Sequence, residues 1–444
     1  MTTSPRLRRV LVVSPRFPPL NAPDMHRIRI SLPHFREFGW EPQVLTVQAE
    51  PGDGLFDPLL LDTIPEDVPI HRVAAIPRQR LKYLGIGDVG LRAWWPLYRR
   101  GVELLRQHHF DVVYFSTTVV VSMTLGRLWR SKTGTPFVLD IQDPWRSFRH
   151  FWSKGDQVPG GRLKFVGKYL LAGLLERFTM QAVAHVISVS PGYCDDFMQR
   201  FPRLGEQDFT VLPFGGTDLD FRVLACRNLP QNFFQPDDGL IHWVYTGRSS
   251  MDMAYAFRIL FGVLAGNRKK NPQRWGRVRL HFIGTSYSAT SGKTVEPVAR
   301  EFGLEQVVFE HPLRVPYFEA LKLLTDSHGI VFTSSDDPGY SASKIYPLIL
   351  ARKPLLGLVH QGSIVARIMA DCQAGSLVLF NARDPLETSM QHAENVLETF
   401  LDASIAGVAP QTDWDAFAPY TAREMTRRQC RIFDRVCNPA SFSS

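Results

Sequence analysis

The sequence predicts an α/β protein: two doubly wound, Rossmann-like domains facing across a cleft. Two observations carry that prediction. Short apolar runs alternate with segments of helical spacing along nearly the whole chain, the pattern of parallel sheets covered on both faces. The alternation breaks once, around residues 222–238, and then restarts with the same design.

Taken in order, "RVLVVSPR" reads as the first strand and "MHRIRISLPHFREFG" as a helix. "PQVLTV", "VPIHRVA", "DVVYFST", "PFVLDI", "HVISVS" and "FTVLPF" follow as short apolar runs bounded by turn residues. The stretch "RVLACRNLPQNFFQPDDGL" has no clear period and two prolines, so it breaks the pattern. "IHWVYTG", "VRLHFIG", "QVVFEHP", "GIVFTSS", "PLLGLV" and "GSLVLF" then repeat the strand pattern, with helices between. The final helix, "YTAREMTRRQCRIFDRV", has a thin apolar face and is expected to pack across other elements. These signals place an N-terminal domain at 1–225, a linker at 226–238 and a second domain at 239–411. Residues 412–444 hold a C-terminal helix crossing back to the first domain, then a loose tail.

Composition narrows the function classes. The 444 residues are 44% hydrophobic and 21% charged, with 30 Phe and 9 Trp, so large cores are available. Five cysteines are scattered without a CxxC, which points to reduced thiols and to neither a zinc site nor a disulfide framework. "RRVLVVSPRFPP" is too short and too proline-rich for a signal peptide, and no apolar stretch approaches a membrane span. A cytoplasmic location is expected. The net charge of +8 favours acidic partners such as phosphorylated ligands or an anionic membrane surface. The densest basic stretch, "RKKNPQRWGRVR", reads as a solvated loop, and no nucleic-acid motif occurs, so no nucleic-acid partner is expected.

Ligands of open α/β sheets bind beyond the carboxyl ends of the strands, so strand ends supply the candidate residues. No GxGxxG follows any strand, which argues against a dinucleotide. The loop "SPRFPPLNAPDMHRIR" brings Asn21, Arg27 and Arg29 to the first strand end, as candidate contacts on the acceptor side. "PFVLDIQDPWRS" places Asp143 past an apolar strand and before Pro144, as a candidate base or hydroxyl-binding group or, equally, a turn cap. "YTGR" offers Gly247 for close backbone approach and Arg248 as a bidentate phosphate donor; Gly284 ends the next strand. In "PGYSASKIYP" small residues lead to Lys344 at a helix start, with Pro347 marking the first turn. Tyr340, Ser341, Ser343 and Lys344 thus form a candidate anion site, and with Arg248 the set suits a diphosphate.

At this point the sequence resembles the retaining GT-B glycosyltransferases of family 4, over residues 8 to 436. "VVSPRFPPLNAPDMHRIRISLPHFREFGWEPQVLTV" is similar to the family's opening strand, glycine-rich loop, helix and strand. "DIQDPWRS", "HVISVSPGYCDDF", "VLPFGGTDLDF", "YTGR" and "SASKIYPLILARKPLLGL" match further family segments in the same order. The resemblance implies a nucleotide-sugar donor in the C-terminal domain and an acceptor on the N-terminal side. It implies that Arg248 and Lys344 neutralise the departing diphosphate, with no metal needed. Departures are concentrated at the site. The family's two glutamates fall at Gly339 and Pro347; Asp336 and Asp337 lie close to the first position and are candidate substitutes there. The asparagine of "PNG" is Phe214, the N-terminal glycine pair is "LNAPD", and the glycine of "AGKP" is Arg352. "DLD" at Asp218 to Asp220 reads as structural rather than as a metal site.

Arg78 to Arg100 and Arg149 to Phe178 mix Lys and Arg with aromatics, as segments seated on an anionic bilayer do. For "LKFVGKYLLAGLLERF" within the second, an ordinary helix packed on the sheet is the preferred reading. The membrane reading implies a lipid-linked acceptor and a peripheral position on the inner face of the plasma membrane. Two rival functions stand beside the transferase: a binding or scaffold protein that lost catalysis with its glutamates, and a sugar-nucleotide epimerase on the same fold.

Overall fold

The computed structural model describes residues 7–81, 87–146, 162–286, 292–337 and 343–438. The chain forms two compact units, Met1–Phe214 with Ala422–Ser444, and Gly215–Thr421.

The first unit is built on strands β1 (Arg8–Val13), β2 (Trp40–Val47), β3 (Ile70–Val73), β4 (Val112–Ser116), β5 (Phe137–Ile141), β6 (His185–Ser188) and β7 (Phe209–Val211). Among the described residues they form one seven-stranded sheet in the order β3-β2-β1-β4-β5-β6-β7, with every pairing parallel. The sequences explain the burial. "VVYFS" and "FVLDI" are apolar on both alternations, and both strands are buried throughout. Helices on both faces make that pattern stable. Fully burying one such Val, Leu, Ile or Phe side chain contributes roughly 1.5–3 kcal/mol.

Helices Val89–Gln107 and Val120–Thr133 cover one face. They approach closely at Gly101, where an added Cβ would lie 2.2 Å from the Trp129 ring. The other face is covered by Ala422–Cys437, whose Met425, Gln429, Ile432 and Phe433 follow helical spacing and are buried. Phe433 lies 5.3 Å from Trp40 and 5.1 Å from Tyr114, ring centroid to ring centroid. Gln429 donates to the Tyr114 hydroxyl at 3.2 Å and accepts from Ser31 at 2.9 Å. That polar row explains the thin apolar stripe.

The second unit contains β8 (Ile241–Thr246), β9 (Val278–Ile283), β10 (Val308–His311), β11 (Gly329–Thr333), β12 (Leu355–His360) and β13 (Ser376–Phe380). Their order among the described residues is β10-β9-β8-β11-β12-β13, again all parallel. Helices Ala254–Lys270 and Leu386–Ala406 pack on it, with Trp243, Phe257, Phe282 and Phe400 in the core. In each sheet the order reverses direction beside the first strand, between β1 and β4 and between β8 and β11. Such switch points are where doubly wound sheets bind ligands, beyond the carboxyl ends of the strands.

Two expectations are corrected. The chain passes between units at 214/215 rather than at 226–238. Helix Asp218–Ala225 belongs to the second unit, because buried Asp220 accepts the Tyr317 hydroxyl at 2.7 Å. The single helix expected from "MHRIRISLPHFREFG" is instead a 3-10 turn (Pro23–Met25), a short α-helix (His26–Ser31) and a 3-10 helix (Leu32–Phe38). Pro33 lacks the N–H that would continue the α ladder, so the backbone tightens there.

Candidate functional site

In the second unit the site is assembled at the ends of β8 and β9 and at the start of helix Ile345–Leu350. Gly247 follows β8 with φ +113° and donates its N–H to the Ile283 carbonyl at 2.8 Å. A Cβ here would sit 3.1 Å from the Lys344 Nζ and 3.3 Å from its Cδ. Gly284 ends β9 with φ +74° and donates to His311 O at 2.8 Å. Both positions require the left-handed backbone that glycine adopts without strain.

Lys344 immediately precedes its helix and already has helical angles, φ −67° and ψ −14°. That helix has six residues, so its dipole is small and the ammonium is the main source of positive potential. Nζ donates to the Tyr245 hydroxyl at 2.7 Å, and that hydroxyl donates to the Arg248 carbonyl at 2.5 Å. Nζ also lies 4.4 Å from the Tyr245 ring centroid and 5.7 Å from that of Phe332. No carboxylate pairs with it among the described residues. The side chain is half-buried. Lost hydration, and then the charge of Arg248, pull its pKa down to about 7.

Arg248 is more open, with 44% of its side chain exposed, and donates to the Ser250 hydroxyl at 3.0 Å with Asp252 at 3.5 Å. Ser343 is exposed beside Lys344. Tyr340 and Ser341, with Gly339, lie outside the described residues. Asp336 donates its N–H to the Asp252 carbonyl at 2.9 Å. Burial, and then the Asp252 charge, raise its pKa above the usual carboxylate range. Pro347 stands in the first helical turn, where it offers no side-chain acceptor.

Sequence reasoning missed Tyr245 and Glu310. Tyr245 sits inside an apolar strand and reads as core, yet its hydroxyl joins Lys344 to Arg248. Glu310 is the lone acid of "VVFEH", a signal that could have exposed it. Its buried carboxylate accepts from Thr285 Oγ1 at 2.7 Å and from the N–H groups of Thr294, Val295 and Glu296 at 2.9–3.0 Å. It thereby ties the loop after β9 to the start of helix Glu296–Arg300.

The first unit treats its cations differently. Arg27 is fully buried, with Nε 2.9 Å from Asp140 and its terminal nitrogens donating to Leu212 O at 2.8 Å and Pro213 O at 3.2 Å. Its guanidinium covers the Phe214 ring at 4.5 Å. Arg29 is also buried and donates to Thr63 Oγ1 at 3.1 Å. The expectation that Arg27 or Arg29 contacts a ligand is therefore corrected: both reach inward because β7's end and neighbouring loops supply acceptors. Asn21 is buried too, with its N–H on Leu55 O at 2.7 Å and its Oδ1 3.3 Å from His26 Nε2. It organises the loop after β1. Asp143 is exposed, as a strand-end contact needs to be. Burial of its inner side and then the Asp24 charge raise its pKa, while Arg16 opposes them.

At the first switch point a cavity of about 490 Å³ opens beyond β1, β2 and β4. Its lining includes Arg16, Gln48 and Thr118, which follow the strand ends, and Val89, Val121 and Leu175, which lie on helices. Arg16 pairs with buried Asp24 at 3.2 Å and donates to Thr118 Oγ1 at 2.6 Å.

The basic stretch Arg268–Arg279 is largely occupied within its own unit. Lys270 pairs with Glu394 and Arg274 with Asp402, while Arg268, Arg277 and Arg279 donate to carbonyl oxygens. No group of three His, Cys, Asp or Glu residues among those described is placed to hold a metal ion. No helix among them is long and apolar enough to cross a membrane.

Residues 32–215 match the family described as glycosyl transferase 4-like domain. Solved structures extend the likeness to the whole chain. Anabaena HepE, in complex with UDP and glucose, is 16% identical with a TM-score of 0.56, over 96% of this chain and 99% of its own. A Burkholderia xenovorans α,α-trehalose-phosphate synthase (UDP-forming), in complex with glucose-6-phosphate, is 10% identical at TM-score 0.56, over 96% and 100%. A Rickettsia africae glycosyltransferase is 11% identical at TM-score 0.54, over 99% and 100%. No curated protein sequence matches. The fold is GT-B, with a seven-stranded and a six-stranded parallel unit.

Proposed function

Taking residues 32–215 as a glycosyl transferase 4-like domain within a GT-B chain, we propose that this protein transfers a hexose from a nucleotide-sugar to an acceptor. The observation that carries the reading is Lys344, an ammonium with no carboxylate partner among the described residues, at the switch point of the second sheet. A nucleoside diphosphate supplies the missing anion. HepE, with UDP and glucose bound, makes UDP the first nucleotide to try.

In this reading the sugar–phosphate bond breaks and negative charge grows on the departing diphosphate. Lys344 and Arg248 face that charge from one side, positioned before the reaction begins, so stabilising it costs little reorganisation. Gly247 and Gly284 let the diphosphate approach backbone N–H groups without steric block. Tyr245 holds Lys344 against Arg248 and is a positioning residue. Two cations supply the neutralisation, so turnover is expected without a metal. Asp143 is the candidate contact for the incoming hydroxyl or the sugar. Retention of the anomeric configuration belongs to the same proposal, as does a glycan or lipid-linked acceptor from cell-envelope synthesis at the inner membrane face.

A panel of nucleoside diphosphates and nucleotide-sugars tests the donor half by thermal stabilisation, since a ligand that binds only the native state raises its stability. The proposal expects one nucleotide to raise the melting temperature of wild type and to fail with Lys344→Ala. No response to any nucleotide would refute it. Binding without sugar transfer would instead favour the scaffold reading, to which Pro347 lends weight: a proline cannot accept a ribose hydroxyl. One lost hydrogen bond to a charged group costs roughly 1.5–3 kcal/mol, one to two decades in affinity, which leaves room for activity.

A further inference from the structure

We propose that the cavity of the first unit holds the apolar chain of an amphipathic acceptor, with the acceptor's sugar at the Arg16–Thr118 end. This rests on the transferase reading and selects a lipid-linked acceptor over a soluble glycan.

The cavity has the size of a small-molecule site, about 490 Å³ against roughly 300–1,000 Å³ for ligand pockets in general. Its lining is mixed. Leu20, Val89, Leu91, Val121, Leu171 and Leu175 give apolar surface from the first loop and from helices Val89–Gln107, Val120–Thr133 and Arg162–Met180. Arg16, Gln48 and Thr118 give polar surface at the ends of β1, β2 and β4. The two lining arginines already have carboxylate partners. Arg16 pairs with Asp24, and Arg78 with Asp53 at 3.2 Å. The polar end therefore calls for neutral hydroxyls rather than for an anion.

Large apolar side chains are also exposed on two of these helices. Leu91 is 48% exposed and Leu171 54% exposed, although both are large and apolar. One helical turn on, Trp95 is 56% exposed; on helix Arg162–Met180, Leu170 and Leu174 are 61% and 67% exposed. Leu91 and Trp95 are four residues apart, as are Leu170 and Leu174, so each pair shares a helix face. Singly exposed leucines need no explanation, but clusters beside a cavity mark a binding surface. A soluble glycan laid here would lose water from its hydroxyls without gaining partners. An alkyl or isoprenoid chain meets no such penalty.

A homologous series tests this: methyl, hexyl and octyl glucoside below their micelle concentrations, measured by calorimetry on the full chain. Each methylene buried on the apolar wall is expected to raise affinity by up to about fourfold. Octyl glucoside should bind at least about tenfold more tightly than methyl glucoside, a bound well inside that increment. Leu171→Glu should remove most of that gain, because it puts a charge on the wall at an exposed position that folding tolerates. Leu379→Glu, on an exposed leucine of the second unit, should leave the gain intact. Affinity independent of chain length, no binding by any member, or equal loss in both variants would overturn the proposal. Nucleotide stabilisation is read on the same samples: if it persists while chain length has no effect, only the acceptor class has failed.

Discussion

The two units bring cations close to their sheets and use them in opposite ways. In the first unit Arg27 and Arg92 are fully buried and each meets a carboxylate, on Asp140 and Asp53. In the second, Lys344 meets a tyrosine hydroxyl and ring faces, and Arg248 has one carboxylate at 3.5 Å. A paired buried arginine is architecture; an ammonium left without a counter-charge has a depressed pKa and a capacity for an anion. Residue type alone does not separate the two roles.

The largest expected effect breaks the first kind of cation. Arg27→Ala strands the Asp140 carboxylate among buried groups, and removing one partner of such a pair costs roughly 3–5 kcal/mol. Chemical denaturation should show that loss in the first unit. A variant as stable as wild type would mean that Arg27 is dispensable to the fold.

Gly247→Ala should act on the second kind. The added methyl meets the Lys344 side chain, and φ +113° is strained for alanine, at a cost of order 1–3 kcal/mol. Nucleotide binding should drop while the first unit melts as before. Unchanged nucleotide affinity would separate Gly247 from the site.

Acid should weaken both units alike. Burial lowers the pKa of His185 in the first unit and of His281 in the second to about 4. Both rings are therefore held neutral in the folded state, while the unfolded chain takes up protons from about pH 6.5 downward. Their contribution is complete above about pH 6.5 and is lost as pH falls toward 4, by at most about 1.4 kcal/mol per ring per pH unit. His185→Gln and His281→Gln should flatten that decline; a decline of the same slope in both variants would assign it to other groups.

The smallest effect expected is that of EDTA on sugar transfer. If Lys344 and Arg248 supply the neutralisation, chelation should leave the rate within about twofold, since a lost charge contact of about 1.4 kcal/mol would already change it tenfold. A complete loss restored by magnesium or manganese would refute the metal-free reading.

The sheets were legible because strands such as "VVYFS" are apolar on both faces, a pattern parallel sheets require and few other structures allow. The boundary between units was not legible. Helix Asp218–Ala225 runs into the break in pattern, and its allegiance shows only in long-range packing such as that of Asp220 on Tyr317. At the candidate site, the placement of Lys344, Arg248 and the two glycines was legible because their surroundings are local in sequence: a strand end, a turn, a helix start. Arg27 was misread because its partners lie far along the chain, Asp140 and the carbonyls of Leu212 and Pro213. Tyr245 was missed for the same reason, since nothing in "HWVYTG" announces a lysine about a hundred residues later.

The central claim is that Lys344 is held short of its counter-charge until a diphosphate arrives. Proton uptake on binding tests it most directly. Calorimetry of UDP binding at pH 7.5, in buffers of different ionisation enthalpy, should show uptake of more than about half a proton, because a lysine with a pKa near 7 becomes fully charged beside the diphosphate. Lys344→Met should abolish the uptake and weaken binding. Binding with no proton uptake, or an affinity equal in wild type and Lys344→Met, would contradict the account.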